Sequence, residues 1–182
     1  REKGWLVPDE GEYLYIYAQT MNGKTQYGLV GCAAVEDYLN NVIKKHELTR
    51  KVKEEDRMKH VRVTNANMEP VFFTYPAKAE IDEIVAKWVS EHEADYDFTA
   101  VDGFGHHFWA VDEKEVVDKL IALFGEIPAT YVADGHHRTA AAALVGNEKK
   151  QNNPNHTGDE EYNYFLAVHF PDINSPLSIT IG

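Results

Sequence analysis

The stretch Thr130-Tyr131-Val132-Ala133-Asp134-Gly135-His136-His137-Arg138-Thr139-Ala140-Ala141-Ala142-Ala143-Leu144 decides how this chain is read. Its first four residues predict a short buried strand. The alanine-rich run beginning near Arg138 predicts a helix, ended by Gly146. Between them lies a strand-to-helix turn. Gly135 permits a positive φ and lets a ligand approach the backbone closely. The first turn of the helix carries N–H groups without intrahelical partners and a partial positive charge. Together these make an anion site. Arg138 adds a planar fork of donors suited to phosphate. His136 and His137 can donate to phosphate oxygens, or one of them can move a proton near neutral pH. Asp134 can hold Mg²⁺ or accept a proton. The pattern therefore points to phosphate. Gly135, His136, Arg138 and Thr139 are the expected phosphate or nucleotide contacts. Asp134 and His137 are the expected catalytic residues, with Asp134 also the metal ligand. The bland alternative is an ordinary helix N-terminus, with Asp134 as cap and the cations in solvent. Five polar or glycine positions directly behind a buried strand weigh against it.

Outward from this turn, the chain alternates hairpin and helix signals. Tyr13-Leu14-Tyr15-Ile16-Tyr17 is aromatic and β-branched and predicts a strand. Asn22-Gly23 marks a hairpin turn into a second strand at 26–34. Val35, Tyr38, Leu39, Val42 and Ile43 recur at helical spacing, which predicts one helix over 35–47. A polar helix follows at 54–63, then a strand at 70–75 that Pro76 ends. Residues 78–92 and 113–124 predict helices with apolar stripes, the second stopped at Gly125. Strands at 98–101 and 107–111 form a hairpin through Asp102-Gly103-Phe104-Gly105. Residues 1–11 and 147–160 read as loops, the latter mobile, and 162–170 as a final strand. Hairpins mixed with packed helices predict one α+β domain over 1–182 with a mixed sheet.

Composition narrows the function. Lys and Arg total 18 against 30 Asp and Glu, and the net charge of −12 argues against gripping nucleic acid or an anionic membrane. No apolar run approaches the length of a membrane span. Cys32 is the one cysteine, so no disulfide forms within the chain, which suits a reducing cytoplasm. Its apolar setting predicts a packed thiol. Walker-type and Gly-x-Ser-x-Gly signatures are absent. Adjacent histidines without cysteine partners do not suit a structural zinc. A second Gly-His-His at Gly105-His106-His107 falls in a strand, where the two rings face opposite sides. Neither ring is expected to be catalytic.

Three blocks carry a family resemblance. They are Tyr13-Leu14-Tyr15-Ile16-Tyr17-Ala18-Gln19 with Gly28-Leu29-Val30-Gly31, Lys45-His46-Glu47-Leu48-Thr49 with Lys53-Glu54-Glu55-Asp56-Arg57, and Tyr131-Val132-Ala133-Asp134-Gly135-His136-His137-Arg138. In this order they resemble the bacterial and archaeal family known as domain of unknown function number 1015. The last block also resembles the turn of free-serine kinases of the ParB/sulfiredoxin-like superfamily. That resemblance implies a ParB/sulfiredoxin-like core around the turn and a nucleotide site at Asp134, His136, His137 and Arg138. It also implies phosphoryl transfer from ATP or ADP to the hydroxyl of free serine, with Mg²⁺ as partner and a glutamate as general base. Family members are longer at both ends, so the chain is expected to be a central fragment.

Phosphoryl transfer needs a base near the acceptor and cations on the phosphates. Glu47 is a candidate for that base. Thr49, Arg50, Lys53 and Arg57 are candidate phosphate contacts, although a solvated helix end explains Arg50 and Lys53 as well. The alternatives to a kinase are a nucleotide-binding regulatory module without turnover and a phosphate-directed hydrolase.

Overall fold

The computed structural model describes residues 9–47 and 49–172. Most of the loop expected at 1–11, residue Leu48 of the second block and the chain end from Ser178 lie outside the described residues.

The chain opens with the expected hairpin, β1 (Leu14–Met21) and β2 (Lys24–Ala34). Asn22 and Gly23 both take positive φ, 52° and 74°, as a two-residue turn matched to strand twist requires. The helix predicted over 35–47 stops as α1 (Val35–Leu39). Asn41 adopts the left-handed conformation (φ 60°), Val42 N donates to Asp37 O at 2.8 Å, and Asn41 N donates to Tyr38 O at 3.3 Å. This is a Schellman closure, which an asparagine can supply in place of glycine. The chain emerges extended as β3 (Ile43–Lys44).

The remaining elements are α2 (Lys51–Thr64), β4 (Val71–Tyr75), α3 (Ala79–Glu91), β5 (Tyr96–Thr99), β6 (Gly105–Val111), α4 (Lys114–Gly125), β7 (Thr130–Asp134), α5 (His136–Asn152) and β8 (Tyr164–Pro171). Eight strands form one mixed sheet in the order β3-β7-β4-β8-β2-β1-β6-β5. β3 runs parallel to β7 and β4 parallel to β8, and the other pairings are antiparallel. With five α-helices among the described residues, this is the expected α+β class.

One face of the sheet carries the helices. Phe73, Val132, Phe165 and Ala167 meet alanines of α5 and Tyr38 of α1. Ile16, Leu29, Tyr75, Trp109 and Val111 meet the stripes of α3 and α4, centred on Ile81, Trp88 and Leu120. Helix α2 packs on α5, where Met58 meets Ala141 and Val145. On the other face, Val30, Val168 and Phe170 cluster with Tyr15, Tyr17, Phe72 and Phe108, all of them strand residues.

Several local expectations change. Helix α5 begins at His136 and passes through Gly146 rather than ending there. The glycine serves close approach: a Cβ at Gly146 would overlap the Tyr162 carbonyl oxygen and lie 3.0 Å from Val35 Cγ2. Residues 147–152 extend the helix, and the loop after it carries hydrogen bonds of its own. Glu160 Oε1 accepts from Thr157 N at 2.7 Å, and Glu160 Oε2 accepts from Gly158 N at 3.0 Å. Strand β7 is less buried than expected, with Val132 its one buried residue. Cys32 is exposed, because its side chain points to the helix-free face.

Gly146→Ala is expected to lower stability despite alanine's helix preference of about 1 kcal/mol. Overlap with a backbone carbonyl should cost about 1–3 kcal/mol net, read as a lower urea midpoint; an unchanged midpoint would contradict the contact.

His169 yields a pH prediction. Its Nδ1 is shielded without a partner, between Phe73 and Phe124, and burial lowers its pKa from 6.5 to about 4. The folded state therefore resists a proton that the unfolded chain accepts. Stability from this group is unaffected above pH 6.5, falls as pH drops toward about 4, and levels off below. His169 as a residue is half-buried, so the loss is expected to be roughly 2 kcal/mol. His169→Phe should remove that part of the acid limb in urea titrations at pH 7 and pH 4.5.

Candidate functional site

The short helix α1 has a consequence for position. Because β3 lies parallel to β7, with Ile43 beside Thr130 and Lys44 beside Tyr131, both strands point the same way. The residues after β3, His46 and Glu47, emerge beside the residues after β7, Gly135 and His136. Helix α2 then lies against α5 and brings Lys53, Asp56 and Arg57 to the same place. The result is an open cleft of about 590 Å³ whose lining includes Glu47, Lys53, Arg57 and the turn from Asp134 to Arg138.

Gly135 turns the chain with φ 87° and ψ 32°. A side chain there would meet Val71 Cγ1 at 3.0 Å and the Arg138 guanidinium at 3.2 Å, so the turn needs glycine on both counts. Thr139 N closes the first helical bond on Gly135 O at 2.8 Å. The N–H groups of His136, His137 and Arg138 therefore precede the intrahelical ladder.

Arg138 is a clamp. Its Nη2 donates to Asp134 Oδ2 at 2.9 Å. Its Nη1 donates to Glu69 Oε2 at 3.0 Å and to the Pro70 carbonyl at 2.9 Å. One guanidinium thus ties the 134–138 turn to the segment 69–70. Lys53 and Arg57, by contrast, form no ion pair among the described residues.

The two histidines differ. His137 Nε2 accepts from Arg50 N–H at 3.2 Å, so in its neutral form the proton sits on Nδ1. His136 is 9% exposed, and its Nε2 is buried without a hydrogen-bond partner. Its Nδ1 lies 3.7 Å from Glu47 Oε2, and its ring meets that of His46 edge-on at 4.4 Å. Burial lowers the His136 pKa and the His46 ring lowers it further, while Glu47 and Asp134 raise it.

Of the residues singled out from sequence, Asp134, Gly135, His136, His137, Arg138 and Glu47 meet in the cleft, joined by Lys53 and Arg57. Thr139 faces inward: it is fully buried, and its hydroxyl donates to Gly135 O at 2.9 Å. Thr49 donates to Glu54 Oε2 at 2.6 Å. Arg50 contributes its backbone N–H. His106 and His107 lie on β6 toward the opposite edge of the sheet, bonded to Tyr17 and Asp97 respectively. Sequence reasoning missed Asp56 on the cleft wall and Glu69 and Pro70 behind Arg138. No local pattern marks them, since the Arg138 contacts span 68 and 69 residues. Among the described residues, no helix is long and apolar enough to cross a membrane.

The fold and cleft define an α+β protein with an ionisable site built on a strand-to-helix turn. The chain belongs to the family described as "Protein of unknown function (DUF1015)", which matches residues 1–180. Searches of curated proteins and of solved structures return no match.

His136 is expected to titrate below 6.5 in the folded protein. Glu47→Gln should lower its midpoint further, because the lost carboxylate favours the imidazolium. Ring-proton NMR across pH 4–8 reads both; a midpoint above 6.5, or an upward shift in the variant, would refute the assignment of burial as the dominant influence.

Proposed function

We propose that the cleft binds the phosphates of ATP or ADP and that the protein transfers one phosphoryl group to the hydroxyl of a small acceptor. Free serine is the acceptor that the likeness to ParB/sulfiredoxin-like serine kinases indicates. The observation that carries this reading is the convergence of Glu47, the segment 53–57 and the turn 134–138 on one cleft, where Lys53 and Arg57 have no ion-pair partner among the described residues.

Each residue then has work suited to its chemistry. Lys53 and Arg57 meet phosphate charge, joined by the free N–H groups at the start of α5. His137, protonated on Nδ1, donates to a phosphate oxygen. His136 stays neutral beneath the turn, so it adds no charge to be displaced. Arg138 holds Asp134 and the turn in place. Glu47 accepts the acceptor's hydroxyl proton as its oxygen bonds to phosphorus and the bond from phosphorus to the departing nucleotide oxygen breaks.

Magnesium fits this arrangement as a nucleotide-borne ion. Among the described residues, no group of three His, Cys, Asp or Glu forms a self-sufficient metal site. Mg²⁺ commonly uses one or two carboxylates together with substrate phosphates, and Asp134 and Asp56 line the cleft. When bound, the ion would offset charge on the phosphoryl group. The single thiol suits a cytoplasmic setting.

Incubation with γ-labelled ATP, or β-labelled ADP, and free amino acids is expected to yield phosphoserine. Lys53→Ala and Arg57→Ala should each weaken nucleotide binding about 10- to 100-fold, the range of a lost charged hydrogen bond. Nucleotide binding without transfer would indicate a regulatory module instead, and phosphate release independent of serine a hydrolase. Affinity unchanged in both variants and in Asp134→Ala would remove the cleft from consideration.

A further inference from the structure

A second cavity adjoins the cleft, and nothing in the sequence drew attention to it. It holds about 270 Å³ between α2, the α5 surface and the segment leading into β4. Arg57 and Arg138 line both spaces, so the two are neighbours across a wall of guanidinium groups. Their linings contrast. The cleft is ringed by ionisable side chains, whereas the chamber is walled by Val61, Met68, Val71, Ala142 and Leu166. Its polar edge includes Asn67 and His60.

We infer that this chamber takes the nucleobase of the nucleotide whose phosphates occupy the cleft. The inference rests on the phosphate reading above and adds the place and chemistry of base recognition. Three observations favour a heteroaromatic ring. The chamber lining is apolar along Val61, Val71, Ala142 and Phe165, which suits the faces of a heteroaromatic ring. Arg57 and Arg138 stand at the wall, and a guanidinium plane stacks well on aromatic faces. Met68 and Leu166 remain 72% and 39% exposed at the chamber, apolar surface that a bound ring would cover. Asn67 offers both a donor and an acceptor to a base edge.

The same observations assign the other substrate. A zwitterionic amino acid gains nothing from an apolar chamber, where its charges would be stripped of water. The acceptor belongs on the opposite side of the cleft, beside Glu47. The nucleotide thus runs from the chamber, past Arg57 and Arg138, to the start of α5.

Titration calorimetry with ADP and with inorganic pyrophosphate, both with Mg²⁺, separates the two readings. The protein is expected to bind ADP at least about tenfold tighter than pyrophosphate, since only ADP fills the chamber. Val61→Trp, which fills the space, should weaken ADP about tenfold or more and leave pyrophosphate within about twofold. Met68→Ser, at an exposed position with little bearing on folding, should weaken ADP by about threefold and spare pyrophosphate. If pyrophosphate binds as tightly as ADP, or the variants alter both ligands equally or neither, the base subsite is refuted while the phosphate cleft stands. If neither ligand binds the parent protein, both readings fall.

Discussion

Two rungs of parallel pairing, Ile43 beside Thr130 and Lys44 beside Tyr131, decide where chemistry can occur in this molecule. Parallel strands deliver their succeeding residues to the same end of a sheet, here to the turn at Gly135. Had the helix continued to residue 47, as its apolar spacing predicts, His46 and Glu47 would have been carried away along a helix axis. The Schellman closure at Asn41 prevents this. A left-handed asparagine therefore stands upstream of the whole cleft, although it lines none of it.

Charge within the cleft is arranged by commitment rather than by count. Arg138 is the cation nearest the turn, yet its three bonds make it a structural tie between Asp134, Glu69 and Pro70. The cations left without ion-pair partners among the described residues come from α2. An acidic protein can thus keep a locally receptive site for anions. The coupling also runs through protonation: burial beside a second imidazole favours neutral His136, and its neutrality spares the turn a buried charge.

Much of this was legible in the sequence. The first hairpin followed from Asn22-Gly23 between β-branched and aromatic runs, and the helices with apolar stripes appeared close to their predicted bounds. The turn residues 134–138 were visible because glycine, acid and cations crowd behind a strand. The hidden features depended on distance. Helical spacing in residues 35–43 misled, since Val35, Tyr38 and Ile43 are buried for different reasons, two on a helix and one on a strand. Gly146 reads as a helix stop, but it admits the Tyr162 carbonyl. Thr139 sits where a phosphate ligand could, yet the helix turns it to the core. Asp56 and Glu69 carry no local signature, because their roles exist only once α2 and β4 are placed around α5.

Among the described residues, the helices resting on the sheet share one of its faces, and the other carries aromatic strand residues. Tyr96, Phe98 and Tyr164 on that face are 65%, 56% and 42% exposed. Surfaces of this kind attract their own copies. A net charge of −12 opposes such encounters at long range. That repulsion weakens as ionic strength rises, because the screening length shortens to about 8 Å near 0.15 M salt. The acidity that argued against nucleic acid in the sequence thus acts, on the folded molecule, as colloidal protection for the aromatic face of the sheet.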